Sequence, residues 1–225
     1  MEKKTKLAVL FTGGKDSCLA MFLARKSNEI CCLITIDSEN KESYMFHTPS
    51  ISAVKKQASV MELPIIIKKT KGEKEKELKD LEKAIKIAKQ KYEIEGIVTG
   101  TIASTYQLSR IQKICNTLSL KCLNPLWQKD QFEILNELIR NRFEVIITGV
   151  FAYPLTKEWL GRKIDKSFVE EMKKLNEKYK INPAGEGGEF ESFVLYCPMF
   201  RKRLKVVDKK IFGEKNSFRM EIKVE

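Results

Sequence analysis

"LFTGGKDSCLAMF", residues 10–22, places two adjacent glycines, a lysine, an aspartate and a serine between an apolar run and the start of a helical pattern. A glycine-rich turn from strand to helix exposes backbone N–H groups at the positive end of the helix dipole. It therefore makes an anion site from main chain alone, and phosphate is the usual ligand. The alternative is a tight turn that needs positive φ and binds nothing. Lys15, Asp16 and Ser17 weigh against that alternative. Two familiar phosphate loops do not fit. A G-x-x-x-x-G-K-[ST] loop ending at Gly14-Lys15 requires glycine at position 9 and Ser or Thr at 16, where the chain has Val9 and Asp16. The dinucleotide pattern G-x-G-x-x-G fails as well, because Gly13 and Gly14 lack the spacing and no third glycine follows.

On either side of this turn, short β-rich runs alternate with helical patterns through the first 150 residues. Strands are expected at Lys6–Phe11, Cys31–Ile36, Pro64–Lys68, Gly96–Thr99, Leu120–Leu123 and Glu144–Val150, apolar segments of the kind buried in a parallel sheet. Leu78, Leu81, Ile85, Ala88 and Tyr92 share one face of a helix over Lys76–Tyr92, and Ile51, Val54, Ala58 and Met61 share a face of the helix before the third strand. Asp130 followed by Glu133 caps another helix. The alternation predicts an α/β fold: a doubly wound parallel sheet with crossover helices on its faces.

After Pro154 the pattern changes to a helix near Ser167–Tyr179, the glycine-rich Ala184–Glu189, and strands at Glu191–Tyr196, Arg203–Ile211 and Phe218–Val224. In the last, Phe218, Met220, Ile222 and Val224 alternate with Arg219, Glu221, Lys223 and Glu225, as in a half-exposed antiparallel strand. A smaller C-terminal α+β region is expected, dividing the chain into residues 1–124 and 125–225 near Asn124–Pro125 without a flexible linker.

With 225 residues, 43% hydrophobic and 32% charged, the chain has the composition of a globular protein, and its apolar runs are too short to span a membrane. Met1–Lys6 runs straight into a strand, leaving no room for a cleaved leader, so the expected location is cytoplasmic. Six cysteines without a C-x-x-C pair read as buried thiols rather than a metal or redox site. The +12 charge favours an anionic partner such as nucleotide, RNA or an acidic protein surface. Many of the lysines alternate with glutamate along Lys71–Lys83, however, as on a solvated ion-paired face, so the charge alone does not call for nucleic acid.

The Thr12–Ser17 stretch resembles the S-G-G-x-D-S loop of the PP-loop ATP pyrophosphatase superfamily, a HUP-like fold, with Thr12 replacing the first serine. Together with "MFHTPS" (45–50), "VTGTIASTYQLSRIQKIC" (98–115), "NPLWQKD" (124–130), "EWLGRKID" (158–165) and "GEGGEFESFVLYCPMF" (185–200), it resembles the diphthine-ammonia ligase family nearly end to end. That resemblance implies ATP as co-substrate, Mg²⁺, ammonium, and translation elongation factor 2 carrying diphthine as the protein partner. It implies an ATP-binding role for residues 1–124 and a substrate-binding role for residues 125–225. It implies attack of the diphthine carboxylate on the α phosphate, an acyl-adenylate, and release of AMP and pyrophosphate. Thr12, Gly13, Gly14 and Ser17 would grip the β and γ phosphates, Lys15 would neutralise the leaving group, and Asp16 would help place Mg²⁺. ATP would also lie near Gly100, Thr101 and Ile102, where a strand ends in a glycine that lets a ligand approach backbone closely.

Several other positions carry chemistry, each with a plainer alternative. Asp37 follows the second strand, a usual place for ribose or adenine contacts. His47, the one histidine, sits in a loop where a near-neutral pKa suits a proton acceptor for attacking ammonia, or it is structural. Tyr106, Gln107 and Arg110 fall on one helical turn; Arg110 either clamps a phosphate or carboxylate of the substrate or forms a surface ion pair. Glu186, Gly187, Gly188 and Glu189 combine flexible backbone with carboxylates that can bind Mg²⁺ or a cation such as the trimethylammonium of diphthine, or they form a charged hairpin. Trp127 and Trp159 are candidate aromatic walls for that cation, or core. Two other classes compete with the ligase: a tRNA-modifying ligase or thiolase of the superfamily, and a non-catalytic ATP-binding protein. Thiolases generally use paired cysteines at a spacing not seen here.

Overall fold

The computed structural model describes residues 3–39, 51–72 and 76–225. Five strands, β1 (Lys6–Leu10), β2 (Glu29–Ser38), β3 (Ile65–Thr70), β4 (Gly96–Val98) and β5 (Lys121–Leu123), form one sheet in the order β3-β2-β1-β4-β5, all parallel. Side chains alternate along a strand, so β1 serves two cores. Leu7 and Val9 face α1 (Lys15–Ala24) and α2 (Ile51–Val60), while Ala8 faces α3 (Lys76–Tyr92) and α4 (Thr105–Thr117). The α3 periodicity is realised as expected: Leu81, Ile85 and Ala88 are fully buried, with Leu78 and Tyr92 at the margin. Burial of Leu81 and of Ile85 contributes about 1.5–3 kcal/mol each.

The chain winds from β1 outward through β2 and β3, then crosses back to β4 and β5. Connections therefore leave in opposite directions between β1 and β4, and a crevice opens at the carboxyl ends of those two strands.

The sixth expected strand, Glu144–Val150, does not continue the parallel sheet. As β6 it is an inner strand of a second, antiparallel sheet, β7-β6-β9-β8, with β7 (Phe190–Tyr196), β8 (Val206–Glu214) and β9 (Ser217–Val224). Val145 through Val150 are buried on both faces, so the run is apolar for the same reason a parallel strand would be, and hydrophobic pattern does not distinguish the two pairings. The expected alternation of β9 is present, with Met220, Ile222 and Val224 buried and Glu221 and Lys223 exposed.

Helices α5 (Gln131–Arg140) and α6 (Lys166–Tyr179) pack on each other. Each is capped by an aspartate: Asp130 accepts from the Glu133 N–H at 2.9 Å and Asp165 from the Phe168 N–H at 3.0 Å. One continuous apolar cluster includes Val9, Leu19 and Val54 together with Leu135, Val145, Phe168 and Phe193, so the core crosses Asn124–Pro125 without a break.

Candidate active site

The turn from β1 to α1 closes on itself and on the second sheet. The Thr12 N–H donates to Ser17 Oγ at 3.3 Å, and Ser17 Oγ donates to the Gly14 carbonyl at 3.1 Å. Gly13 takes φ +81°, which a side chain rarely adopts, and a Cβ there would lie 2.4 Å from Gln57 Oε1. Gly14 is the N-cap of α1 and has no side chain to cap it, so apart from the Lys15 N–H, which is bonded from beneath, the first turn presents the positive end of the dipole without a cap from its own residue. From below, β7 supports the loop: Val194 N–H donates to the Gly13 carbonyl (3.1 Å) and Lys15 N–H to Ser192 Oγ (3.2 Å). Gln57, completely buried on α2, donates from one Nε2 to the carbonyls of Gly13 (3.0 Å) and Val194 (2.8 Å), tying loop, helix and strand together.

The second wall follows β4. A Cβ on Gly100 would lie 2.8 Å from the Asp16 carbonyl carbon and the Ser17 nitrogen, so this glycine exists to let the β4 turn rest on the first turn of α1. Thr99 Oγ1 receives the Thr101 N–H (3.2 Å) and lies 2.6 Å from Asn124 Oδ1, to which it donates. Asn124 Nδ2 in turn donates to Cys122 Sγ at 3.5 Å.

The third wall is the glycine-rich loop before β7. Glu186 Oε1 accepts from the Ala103 and Ser104 N–H groups at 2.8 and 2.9 Å, the entry to α4, so this loop is bonded to the β4–α4 connection. Burial pushes the Glu186 carboxyl above the ordinary value, the negative charge of Asp16 adds to the rise, and the two N–H bonds oppose it. Glu189 turns the other way. Its Oε1 accepts from the Asn182 N–H (3.0 Å) and Nδ2 (2.6 Å), holding the loop's own shape, while Oε2 is buried and unpaired.

These walls enclose a cleft of about 650 Å³ at the β1–β4 crevice. Of the expected site residues, Thr12, Asp16, Ser17, Gly100, Thr101, Gln107, Glu186, Gly187 and Gly188 line it. Lys15 is buried behind it, its ammonium 2.8 Å from Asp16 Oδ2 and 5.3 Å from the Phe190 ring centre. Gly13, Gly14 and Ile102 are not among the lining residues, nor are Asp37, opposite Lys69 on β3, or Glu189. Tyr106 and Arg110 are not among them either; the Arg110 guanidinium stacks 3.4 Å from the Tyr106 ring. His47 lies outside the described residues.

Trp159 belongs to the core, edge-on to Phe168, and Trp127 does not line the cleft; its aromatic walls are Phe11, Phe151 and Phe190. Phe151, Glu191 and Arg219 were not anticipated as site residues, nor were the supports Gln57 and Ser192. Gln57 left a signal, a polar residue on the apolar face of Val54, Ala58 and Met61. For Mg²⁺, the donor set fits in part: Asp16 Oδ1 is buried and unpaired at the cleft, although no group of three metal-ligating side chains occurs among the described residues. One carboxylate oxygen suits an ion held mainly by phosphates. All six cysteines are free thiols, and Cys18, Cys32, Cys115 and Cys197 are buried. Among the described residues, no helix is long and apolar enough to cross a membrane.

Residues 5–122 match the family model described as the diphthamide synthase N-terminal domain, and residues 130–224 match the diphthamide synthase C-terminal domain. The chain is 33% identical to the diphthine–ammonia ligase of Mus musculus over 89% of its own length and 82% of that protein's, and likewise 33% identical to that of Homo sapiens with the same coverage. It is 32% identical to the diphthine–ammonia ligase of Schizosaccharomyces pombe over 92% of this chain, which spans only 37% of that longer relative.

Proposed function

Because the chain belongs to the diphthine–ammonia ligase family, we propose that it uses ATP and ammonium to convert the diphthine carboxylate of translation elongation factor 2 into an amide. The observation that carries this reading is the facing of two loops across one cleft: Asp16 and Ser17 at the open start of α1, and Glu186 to Gly188 opposite them. A helix start whose N-cap is a glycine suits the departing pyrophosphate, and the second loop closes the side from which an acceptor would approach.

Amide formation from a carboxylate and ammonia is unfavourable in water, so the carboxylate oxygen must first become part of a leaving group. In this reading that oxygen attacks the α phosphate and the bond from the α phosphate to pyrophosphate breaks. Ammonium gives up a proton to solvent and becomes ammonia, whose nitrogen bonds to the acyl carbon. The bond from that carbon to the former carboxylate oxygen breaks, AMP leaves with that oxygen, and the nitrogen releases a second proton to solvent as the amide forms. The Asp16 and Ser17 N–H groups at the start of α1, the Thr12 and Ser17 hydroxyls, and the buried Lys15 ammonium stabilise charge gathering on pyrophosphate. Apolar Leu10, Ile34, Ile36 and Ile111 on the inner side of the cleft accept the adenine. Asp16 Oδ1 would hold Mg²⁺, which when bound neutralises phosphate charge.

The test supplies ATP, Mg²⁺ and ammonium with elongation factor 2 that carries diphthine, with the unmodified factor, or with tRNA. The expected result is AMP and pyrophosphate in equal amounts, dependent on ammonium and on diphthine. Formation of ADP, equal turnover with the unmodified factor, or turnover with tRNA alone defeats the reading.

A further inference from the structure

The wall of the cleft contributed by the second sheet has a construction of its own. Gly149 of β6 pairs in register with Glu191 of β7 on one side and with Arg219 of β9 on the other, so the three form a single row across the sheet. Side chains of directly paired residues share a face, and residue i+2 shares it too, so Phe151 stands beside this row. Its ring folds back over the glycine: a Cβ on Gly149 would lie 2.6 Å from Phe151 Cζ and 3.0 Å from Glu191 Oε2. Arg219 places its guanidinium 4.7 Å from the centre of that ring and 3.6 Å from Glu191 Oε1, an ion pair longer than a hydrogen bond. Phe151, Glu191 and Arg219 all line the cleft, and all are partly exposed to it.

We infer that Phe151, Glu191 and Arg219, gathered over Gly149, form the subsite that selects the acceptor side chain by its charge pattern and its N-methyl groups. This rests on the diphthine reading above. Diphthine carries a carboxylate and a trimethylammonium on one carbon, a zwitterion whose quaternary nitrogen has no N–H to donate. The row presents the matching set, a cation, an anion and an aromatic surface. Arg219 pairs with the acceptor carboxylate, while Glu191 and the ring take the trimethylammonium, whose methyl groups need an apolar or π surface rather than a hydrogen-bond acceptor. Because Glu191 and Arg219 lie side by side, 3.6 Å apart, the two acceptor charges meet opposite charges together, so no uncompensated charge is buried when the cleft fills. Gly149 is the element that makes room, since any side chain there displaces both Phe151 and Glu191.

The experiment compares two acceptors, elongation factor 2 bearing diphthine and the same factor bearing the unmethylated amino precursor, and measures ATP affinity separately by equilibrium binding. Phe151→Leu is expected to lower kcat/KM for the methylated acceptor about tenfold, narrowing its advantage over the precursor, and Phe151→Tyr to restore it. Arg219→Gln should raise KM for both acceptors alike, since both carry the carboxylate. ATP affinity should stay within about twofold of the parent in all three, because the row lies outside the pyrophosphate loop. A Phe151→Leu enzyme with undiminished preference for the methylated acceptor overturns the inference alone. A loss of ATP affinity as large as the loss with acceptor does so too. If the parent protein turns over neither acceptor, the diphthine reading itself fails, and this inference falls with it.

Discussion

The backbone N–H of Lys15 donates to the hydroxyl of Ser192, 177 positions further along the chain, over 3.2 Å in a buried setting. The loop that begins α1 is thus held from beneath by the second sheet, on the free edge of β7, and that edge is covered by the loop in return. Ser192→Ala removes one acceptor and leaves a buried N–H unpaired, at a cost of about 1–3 kcal/mol. The expected outcome is a rise of about fivefold or more in the KM for ATP, measured by pyrophosphate release, with Ser192→Thr close to the parent. An unchanged KM in Ser192→Ala would show that this contact does not shape the loop.

Gly100 separates close packing from ligand approach. Its missing side chain makes room for the backbone of Asp16 and Ser17 rather than for solvent, and neither of those atoms can yield as a flexible side-chain tip does. Gly100→Ala is therefore expected to weaken ATP binding more than tenfold, read by calorimetric titration. Gly14→Ala, at an ordinary φ of −79° and 3.2 Å from the Ser192 carbonyl, should be the milder change. The reverse order would contradict the geometry.

Much of the architecture was legible from pattern, and the reasons differ by element. Helix α3 declares itself because Leu81, Ile85 and Ala88 recur at the helical period, and β9 because burial alternates strictly with exposure. The destination of β6 was not legible, since a strand buried on both faces looks the same in either sheet. Within the site, residues local to the two glycine loops could be named from sequence, but not which way they turn: Glu186, Glu189 and Glu191 are neighbours with three different partners. Phe151 and Arg219 could not be found at all, because only the pairing of β6 with β9 brings them together.

The Glu186 carboxyl sits above the ordinary value of 4.5, chiefly through burial. A raised carboxyl contributes stability that is complete below pH 4.5 and is lost as pH rises through its folded-state pKa. Glu186→Gln keeps an oxygen for the Ala103 and Ser104 N–H groups but cannot ionise. Urea unfolding at pH 4 and pH 7 should show the parent losing stability relative to this variant as pH increases. A parallel pH dependence in the two proteins would remove Glu186 as its source.

Cys122 is set apart from the other thiols. Interaction with the neighbouring Cys115 thiol, chiefly, and donation from Asn124 Nδ2 lower its pKa, whereas Cys115 itself is pushed up and burial raises Cys31. At pH 8 iodoacetamide should modify Cys122 ahead of Cys31, as peptide mapping would show. Cys115→Ala should slow that labelling near pH 7 and leave it little changed near pH 9.5. Faster labelling of Cys31 at pH 8 would be incompatible with this assignment.

The support of the Gly13–Lys15 loop by Ser192 and Val194 also bears on biosynthesis. A chain emerging from the ribosome has its five parallel strands available once residue 123 is clear, yet the partners of Lys15 N–H and of the Gly13 carbonyl arrive only with β7. A nascent chain of that length thus carries the Gly13–Lys15 loop with its underside open to solvent. On the proposed function, competence to hold nucleotide is acquired only once residues 190–196 have been made.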